Sequence, residues 1–361
     1  MGKLFSKLAE AEGAVNPDNA DIAMLNCLRF PSPSVNWTFA TPGFGLPFGC
    51  HAIYWGPPKS GKSLVANAQA GQLHRDDPEA LVIKLNTELR GEIQGGNKSL
   101  NMFGIDKKRW MELDRNSASG VFDFIEQDVA AMCQAGEKIR LLIVDSITNV
   151  QGRRAANADS IDVQNIGDVA LTVSEGLKRI LPVIRKHKIA LISTNHARAE
   201  LDPKEQAKHK MIKMAGGFAL KHLAEYFCYI EPNQSKDGSK NLLEEEFKDP
   251  EIKDFMEHSA KTAHKIRFCV TESSTGVAGR VGEFTLDYDR GIVNQHEEVA
   301  LLAINLGIVE RPDNTNYILP GGDKKIRGFA NYVMAVRDNE EIQQTLMRKI
   351  IEHNAKNHIG L

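Results

Sequence analysis

His51-Ala52-Ile53-Tyr54-Trp55, then Gly56-Pro57-Pro58-Lys59-Ser60-Gly61-Lys62-Ser63, then Leu64-Val65-Ala66-Asn67-Ala68-Gln69-Ala70: this stretch decides the fold. The central octet matches G-x-x-x-x-G-K-[ST] in full, a strand-like apolar run precedes it, and a helix-forming run follows. Each part has a chemical reason. Glycines let successive backbone N–H groups turn inward and cradle phosphate oxygens. A helix beginning near Lys62 adds the positive end of its dipole. Lys62 reaches the β and γ phosphates as a point charge, and the Ser63 hydroxyl ligates Mg²⁺. The octet is therefore expected to bind ATP and Mg²⁺. The alternative is a glycine-rich turn with no ligand, which the flanking strand and helix argue against.

Outward from this loop, apolar runs alternate with helical periodicity. The strand candidates are Cys50 to Trp55, Leu81 to Leu85, Leu141 to Val144, Ile189 to Ser193 and Phe227 to Ile230, followed by Ile266 to Thr271 and Val281 to Tyr288. Leu177, Ile180, Leu181 and Ile184 fall at i, i+3, i+4 and i+7, one apolar stripe to lay on a sheet. Val121, Ile125, Met132 and Cys133 do the same less cleanly. Pro182 inside the first stripe predicts a kink or a shortened helix. The expected fold is α/β, a mostly parallel twisted sheet flanked by helices.

Three segments follow from composition. Residues 1–35 hold a short amphipathic stretch and a Pro31-Ser32-Pro33 break, and read as an oligomerisation arm or a frayed tail. Residues 36–294 form the core, with an acidic excursion at about 235–264. Residues 295–361 form a small α/β unit with a turn at Pro320-Gly321-Gly322.

Composition narrows the function classes. The chain has 361 residues, 42% of them hydrophobic and 25% charged, an ordinary balance for a soluble globular protein. No apolar run approaches the ~20 residues of a membrane helix, and the start has no secretory apolar centre. A cytoplasmic protein is expected. Forty-five basic and forty-seven acidic residues leave a net charge of -2, so any nucleic-acid contact must be local. Cysteines 27, 50, 133, 228 and 269 are scattered without a C-x-x-C pair, which reads as reduced thiols rather than a metal site.

A phosphate loop needs partners at the carboxyl ends of neighbouring strands. Leu141-Leu142-Ile143-Val144-Asp145 ends in a carboxylate suited to hold magnesium through water, unless Asp145 is a helix N-cap. Glu88 follows the Leu81 strand and is the candidate general base or water-positioning group; an exposed loop glutamate is the alternative. Asn195-His196 follows the Ile189 strand, and His196 is a candidate γ-phosphate sensor or a structural hydrogen-bonder. The loop Ala197 to Ala215 carries Arg198, Lys204, Lys208, Lys210 and Lys213 and leads into Gly216-Gly217. Nineteen residues between strands is long enough to suggest function. With Arg153 and Arg154 after Asp145, these cations suggest a grip on single-stranded DNA, or a pair of solvated surface loops.

The ordered series of phosphate loop, Glu88 segment, LLIVDS, STNHARAE and GGFALKHLAEYF resembles the RecA-type recombinases. GPPKSGKS and the Asn-His pair make it most similar to the UvsX-like recombinases of tailed phages. The resemblance runs over roughly residues 35 to 350, including GEFTLDYDRGI and the tail LLAINLGIVERP through IRGFANYVMAVRDNEEI. It implies a RecA-like core and an ATP-dependent filament on single-stranded DNA that pairs it with homologous duplex DNA. In that frame Lys62, Ser63 and Asp145 serve phosphate and magnesium, Glu88 activates water, and His196 senses the γ-phosphate. Arg153 and Arg154 fall in the first DNA loop, and Arg198 through Lys213 fall in the second, closed by Gly216-Gly217. The arm docks on a second copy in a helix or ring, and single-strand-binding and loader proteins are candidate further partners.

Two departures matter, one of them the acidic excursion from Ser235 to His264, longer than the family leads one to expect. Glu272 and Ser274 stand where the family places cations that reach a neighbour's γ-phosphate, unless Arg267 or Arg280 substitutes. A RecA-fold helicase or ring motor, and a weakly hydrolysing ATP-binding mediator, share the same motifs.

Overall fold

A computed structural model of the chain describes residues 27–89, 98–152, 166–199, 212–215, 220, 222–233, 263–274 and 277–359. Strands β1 (Cys27–Leu28) and β2 (Leu46–Pro47) make a small antiparallel ribbon. The main sheet is built from β3 (His51–Gly56), β4 (Leu81–Asn86), β5 (Trp110–Asp114), β6 (Ile139–Asp145), β7 (Ala190–Ala199) and β8 (Ile212–Met214). It is completed by β9 (Tyr226–Pro232), β10 (Ala263–Ser273), β11 (Val281–Asp287) and β12 (Gly291–Val293). Its order is β12-β11-β10-β9-β3-β7-β6-β4-β5, with β8 paired to β7. From β9 to β5 every neighbouring pair is parallel, while β10, β11, β12 and β8 are added antiparallel. The chain is mixed α/β with a large, mostly parallel sheet.

The inner parallel strands are mostly apolar because helices cover both faces. On one face Tyr54, Ile143, Ile192 and Phe268 pack with Val65, Ala66 and Leu73 of the helix Lys62–Asp76. On the other, Ile53, Leu142 and Leu191 pack with Ile125 of the wide-turn helix Ser119–Val129 and with Leu177, Ile180 and Ile184 of the helix Ile166–His187. Alternation along each strand sends successive side chains to opposite layers. The phosphate-loop helix therefore shares its layer with every second residue of β4, β6 and β7.

After β12, the helices Gln295–Asn305, Phe329–Asp338 and Glu340–Ile359 and the ribbon β13 (Asn316–Ile318) with β14 (Lys325–Arg327) enclose a separate apolar cluster around Val299, Tyr317, Tyr332, Leu346 and Ile350. Phe44 is buried in the same cluster. Two polar anchors join this unit to the segment before β3. Glu298 accepts from the Ser32 hydroxyl and, at 3.1 Å, from the Ser34 amide. Arg280 lies over the Trp37 ring and donates to Trp37 O and Asn354 Oδ1.

Four features depart from the sequence reading. Pro31-Ser32-Pro33 starts a helix, Pro33–Thr38, because the Ser32 hydroxyl caps Val35 N and Pro33 occupies a first-turn position where no amide is needed. Pro182 does not shorten its helix, which spans 22 residues, Ile166–His187, held to the sheet by its buried stripe. Strand β5 was not foreseen. Ala197 to Ala199, expected in a loop, continue β7 and pair with β8. Residues 1–26 of the arm and 234–262 of the acidic excursion lie outside the described residues, while 27–35 pack on this chain's own core through Leu28, Phe30 and Val35. Among the described residues no helix is long and apolar enough to cross a membrane.

Candidate functional site

The site is built at the carboxyl ends of β3, β4, β6 and β7. At the end of β3, a Cβ on Gly56 would come within 2.1 Å of Ile230 O on β9, so only glycine lets the loop leave the sheet there. The loop then turns through Lys59 and Gly61, both with positive φ (60° and 90°), an arrangement that gathers backbone N–H groups into a concavity. The helix Lys62–Asp76 begins with Gly61 as its cap residue and no side-chain cap bond. Its first-turn amides, with Ser63 beside them, face the space an anion would take.

Lys62 folds back on this loop. Its ammonium donates to Pro57 O at 2.8 Å and Gly56 O at 3.2 Å. Burial lowers its pKa, and the negative charges of Asp145 and Glu88 work against that shift. The lysine, Asp145 and Glu88 therefore share one electrostatic environment.

Asp145 ends β6. Its Oδ1 accepts from the Thr194 hydroxyl at 2.5 Å, and its Oδ2 lies 4.0 Å from Lys84 Nζ. Its carboxylate is thus held by the neighbouring strand and does not cap the turn Ile147–Asn149. The ends of β4 and β6 are tied by their backbones: Thr87 N donates to Asp145 O at 2.7 Å, and the Thr87 hydroxyl to Ser146 O at 2.5 Å. This brace aims Glu88 inward. Its side chain is 17% exposed, and Oε1 lies 2.7 Å from His196 Nε2.

His196 stands within β7 where its parallel pairing with β3 ends, beside Gly56 in register. Asn195, fully buried, accepts from His196 N at 2.7 Å and donates to Ala215 O at 2.8 Å. Ala215 N returns a bond to His196 O at 2.9 Å. The sensor candidate is therefore locked to the stem of the β7–β8 hairpin. In that stem Arg198 stands opposite Lys213 in register. Arg153, Arg154, Lys204, Lys208, Lys210, Gly216 and Gly217 lie outside the described residues.

Lys62, Glu88, Asp145 and His196 come together at one edge. Sequence reasoning missed Thr87, Thr194 and Lys84, which orient them; a hydroxylated residue at the tip of an apolar strand, and a lysine within one, were the available signals. The donor set fits a magnesium triphosphate: an ammonium, a glycine-turned amide nest, one hydroxyl and one carboxylate. Among the described residues no group of three or more His, Cys, Asp or Glu could hold a metal alone, so a magnesium would take its other ligands from phosphate and water. Arg267 is paired with Glu283 at 2.7 Å and Arg280 with Trp37 and Asn354, so both are engaged within the chain.

Comparison with models of known protein families gives no match, and no curated protein matches the chain.

Proposed function

We propose that the chain is an ATP-dependent recombinase of the RecA type, a DNA-stimulated ATPase that assembles on single-stranded DNA and pairs it with homologous duplex. The observation that carries this reading is the path from Glu88 through His196 into the β7–β8 hairpin, which joins a nucleotide pocket to a cation-bearing stem without an intervening loop.

Lys62 exchanges Pro57 O and Gly56 O for phosphate oxygens. Ser63, and Asp145 through water, would hold magnesium, which would supply neutralisation of the triphosphate charge. Glu88 accepts a proton from, or orients, the attacking water, with His196 fixing its carboxylate. A γ-phosphate in this pocket competes with Glu88 for the His196 N–H. A shift of His196 moves Asn195 and Ala215, and with them the hairpin stem. Nucleotide state and DNA grip are thereby linked, and linkage makes the effect reciprocal.

The test is electron microscopy of the purified chain with single-stranded DNA and a non-hydrolysable ATP analogue. Regular helical filaments that need the nucleotide are expected. Closed rings that unwind duplex, or no assembly, would contradict the reading. A weakly hydrolysing mediator is the second reading, favoured by Glu272 and Ser274 together with the engagement of Arg267 and Arg280 within the chain.

A further inference from the structure

Lys84 is a cation inside the apolar strand Leu81-Val82-Ile83-Lys84-Leu85-Asn86, and the residue is 4% exposed. A buried ammonium persists only against compensating charge. Two carboxylates flank it. Glu112 on the edge strand β5 sits opposite in register, its Oε1 3.2 Å from Nζ in an ion pair that lies outside hydrogen-bond geometry. Asp145 on β6 is on the other side, its Oδ2 at 4.0 Å. The far oxygen of Asp145 is held by Thr194 on β7. Glu112, Lys84, Asp145 and Thr194 thus cross four neighbouring strands, with a step of two residues between Lys84 and Asp145, whose register partner on β4 is Asn86. They lie in the layer of the phosphate-loop helix, two residues beyond Trp110, Val82, Ile143 and Ile192 of the apolar core there.

We propose that Lys84 is a positioning residue for the magnesium side of the nucleotide pocket, setting through Asp145 the charge that a divalent cation meets, with Glu112 as its counterweight. The proposal rests on the nucleotide reading above. Lys84 neutralises part of the Asp145 charge and so weakens magnesium binding. Glu112 draws the ammonium's field toward the sheet edge and so restores it. The two variants that break this arrangement therefore act in opposite directions, whereas loss of structural support alone would weaken binding in both.

The test titrates Mg²⁺ into the purified full-length chain with a fluorescent ATP analogue and reads the Mg²⁺ concentration at half-saturation of binding. Lys84→Met lowers that concentration about tenfold, Glu112→Gln raises it about threefold, and Lys84→Arg stays within about threefold of the parent chain. Shifts of the same sign in Lys84→Met and Glu112→Gln, or both within about twofold of the parent, overturn the proposal. If Lys84→Met does not fold, Lys84→Gln takes its place, a lowered Mg²⁺ concentration supporting the proposal and a raised or unchanged one overturning it. A parent chain that binds the analogue with Mg²⁺ dependence, combined with silent variants, rejects only the role of Lys84. A parent chain that shows no binding rejects the nucleotide reading with it.

Discussion

Nε2 of His196 lies 2.7 Å from Oε1 of Glu88, joining β7 to the segment just after β4 across β6. One group proposed to orient water and one proposed to sense phosphate are hydrogen-bonded to each other. Each is therefore constrained by the other's occupancy.

From this bond follows a split between binding and chemistry. Glu88→Gln keeps the shape and loses the base, so ATP affinity stays within a few-fold while kcat falls by about 10²–10⁴. His196→Ala lowers kcat less, by about tenfold, because Glu88 remains. Steady-state hydrolysis beside equilibrium nucleotide binding separates the two, and equal losses in affinity and kcat would count against these roles.

Asn195 is the link from His196 to the hairpin. Asn195→Ala removes its bonds to His196 N and Ala215 O. ATP affinity should remain within about threefold, while stimulation of hydrolysis by single-stranded DNA falls about tenfold, in the range of coupling energies of 1–3 kcal/mol. Hydrolysis measured with and without DNA checks it.

Gly56→Ala tests the fold beneath the site. With Ile230 O only 2.1 Å from the added Cβ, backbone must shift. Overpacking of this kind costs about 1–3 kcal/mol. A lowered Tm and lost nucleotide binding are expected, and an unchanged Tm would show that β3 and β9 are less closely packed.

Much of this was legible in the sequence, for physical reasons. Glycines at 56 and 61 mark a backbone that side chains would block, and buried parallel strands carry long apolar runs. Strand β5 was not legible because Trp110-Met111-Glu112-Leu113-Asp114 is a mixed run at the sheet's edge, with Met111 left exposed. The hairpin stem read as a loop because its composition is cationic and its pairing is fixed by Asn195 and Ala215, 20 residues apart in the chain. Lys84 was not legible as part of the site, since its two carboxylates come from other strands. The Pro33–Thr38 helix hid behind prolines that start helices as readily as they break chains.

Glu298 gives a pH dependence away from the site. Burial raises its pKa from 4.5 to about 8, against the hydrogen bonds from Ser32 and Ser34. Between those values the folded chain holds a proton that the unfolded chain has released, so stability falls as pH rises through that window. A loss of about 1–3 kcal/mol between pH 5 and 8 is expected. Glu298→Gln flattens the dependence in denaturant titrations, and an unaltered pH profile in that variant would reject Glu298 as its source.

The linkage of nucleotide and DNA is tested most directly by phosphate release from ATP, measured on the purified chain with and without single-stranded DNA. A rise of at least about tenfold with DNA, abolished in Glu88→Gln, is the predicted result. A rate indifferent to DNA would contradict it.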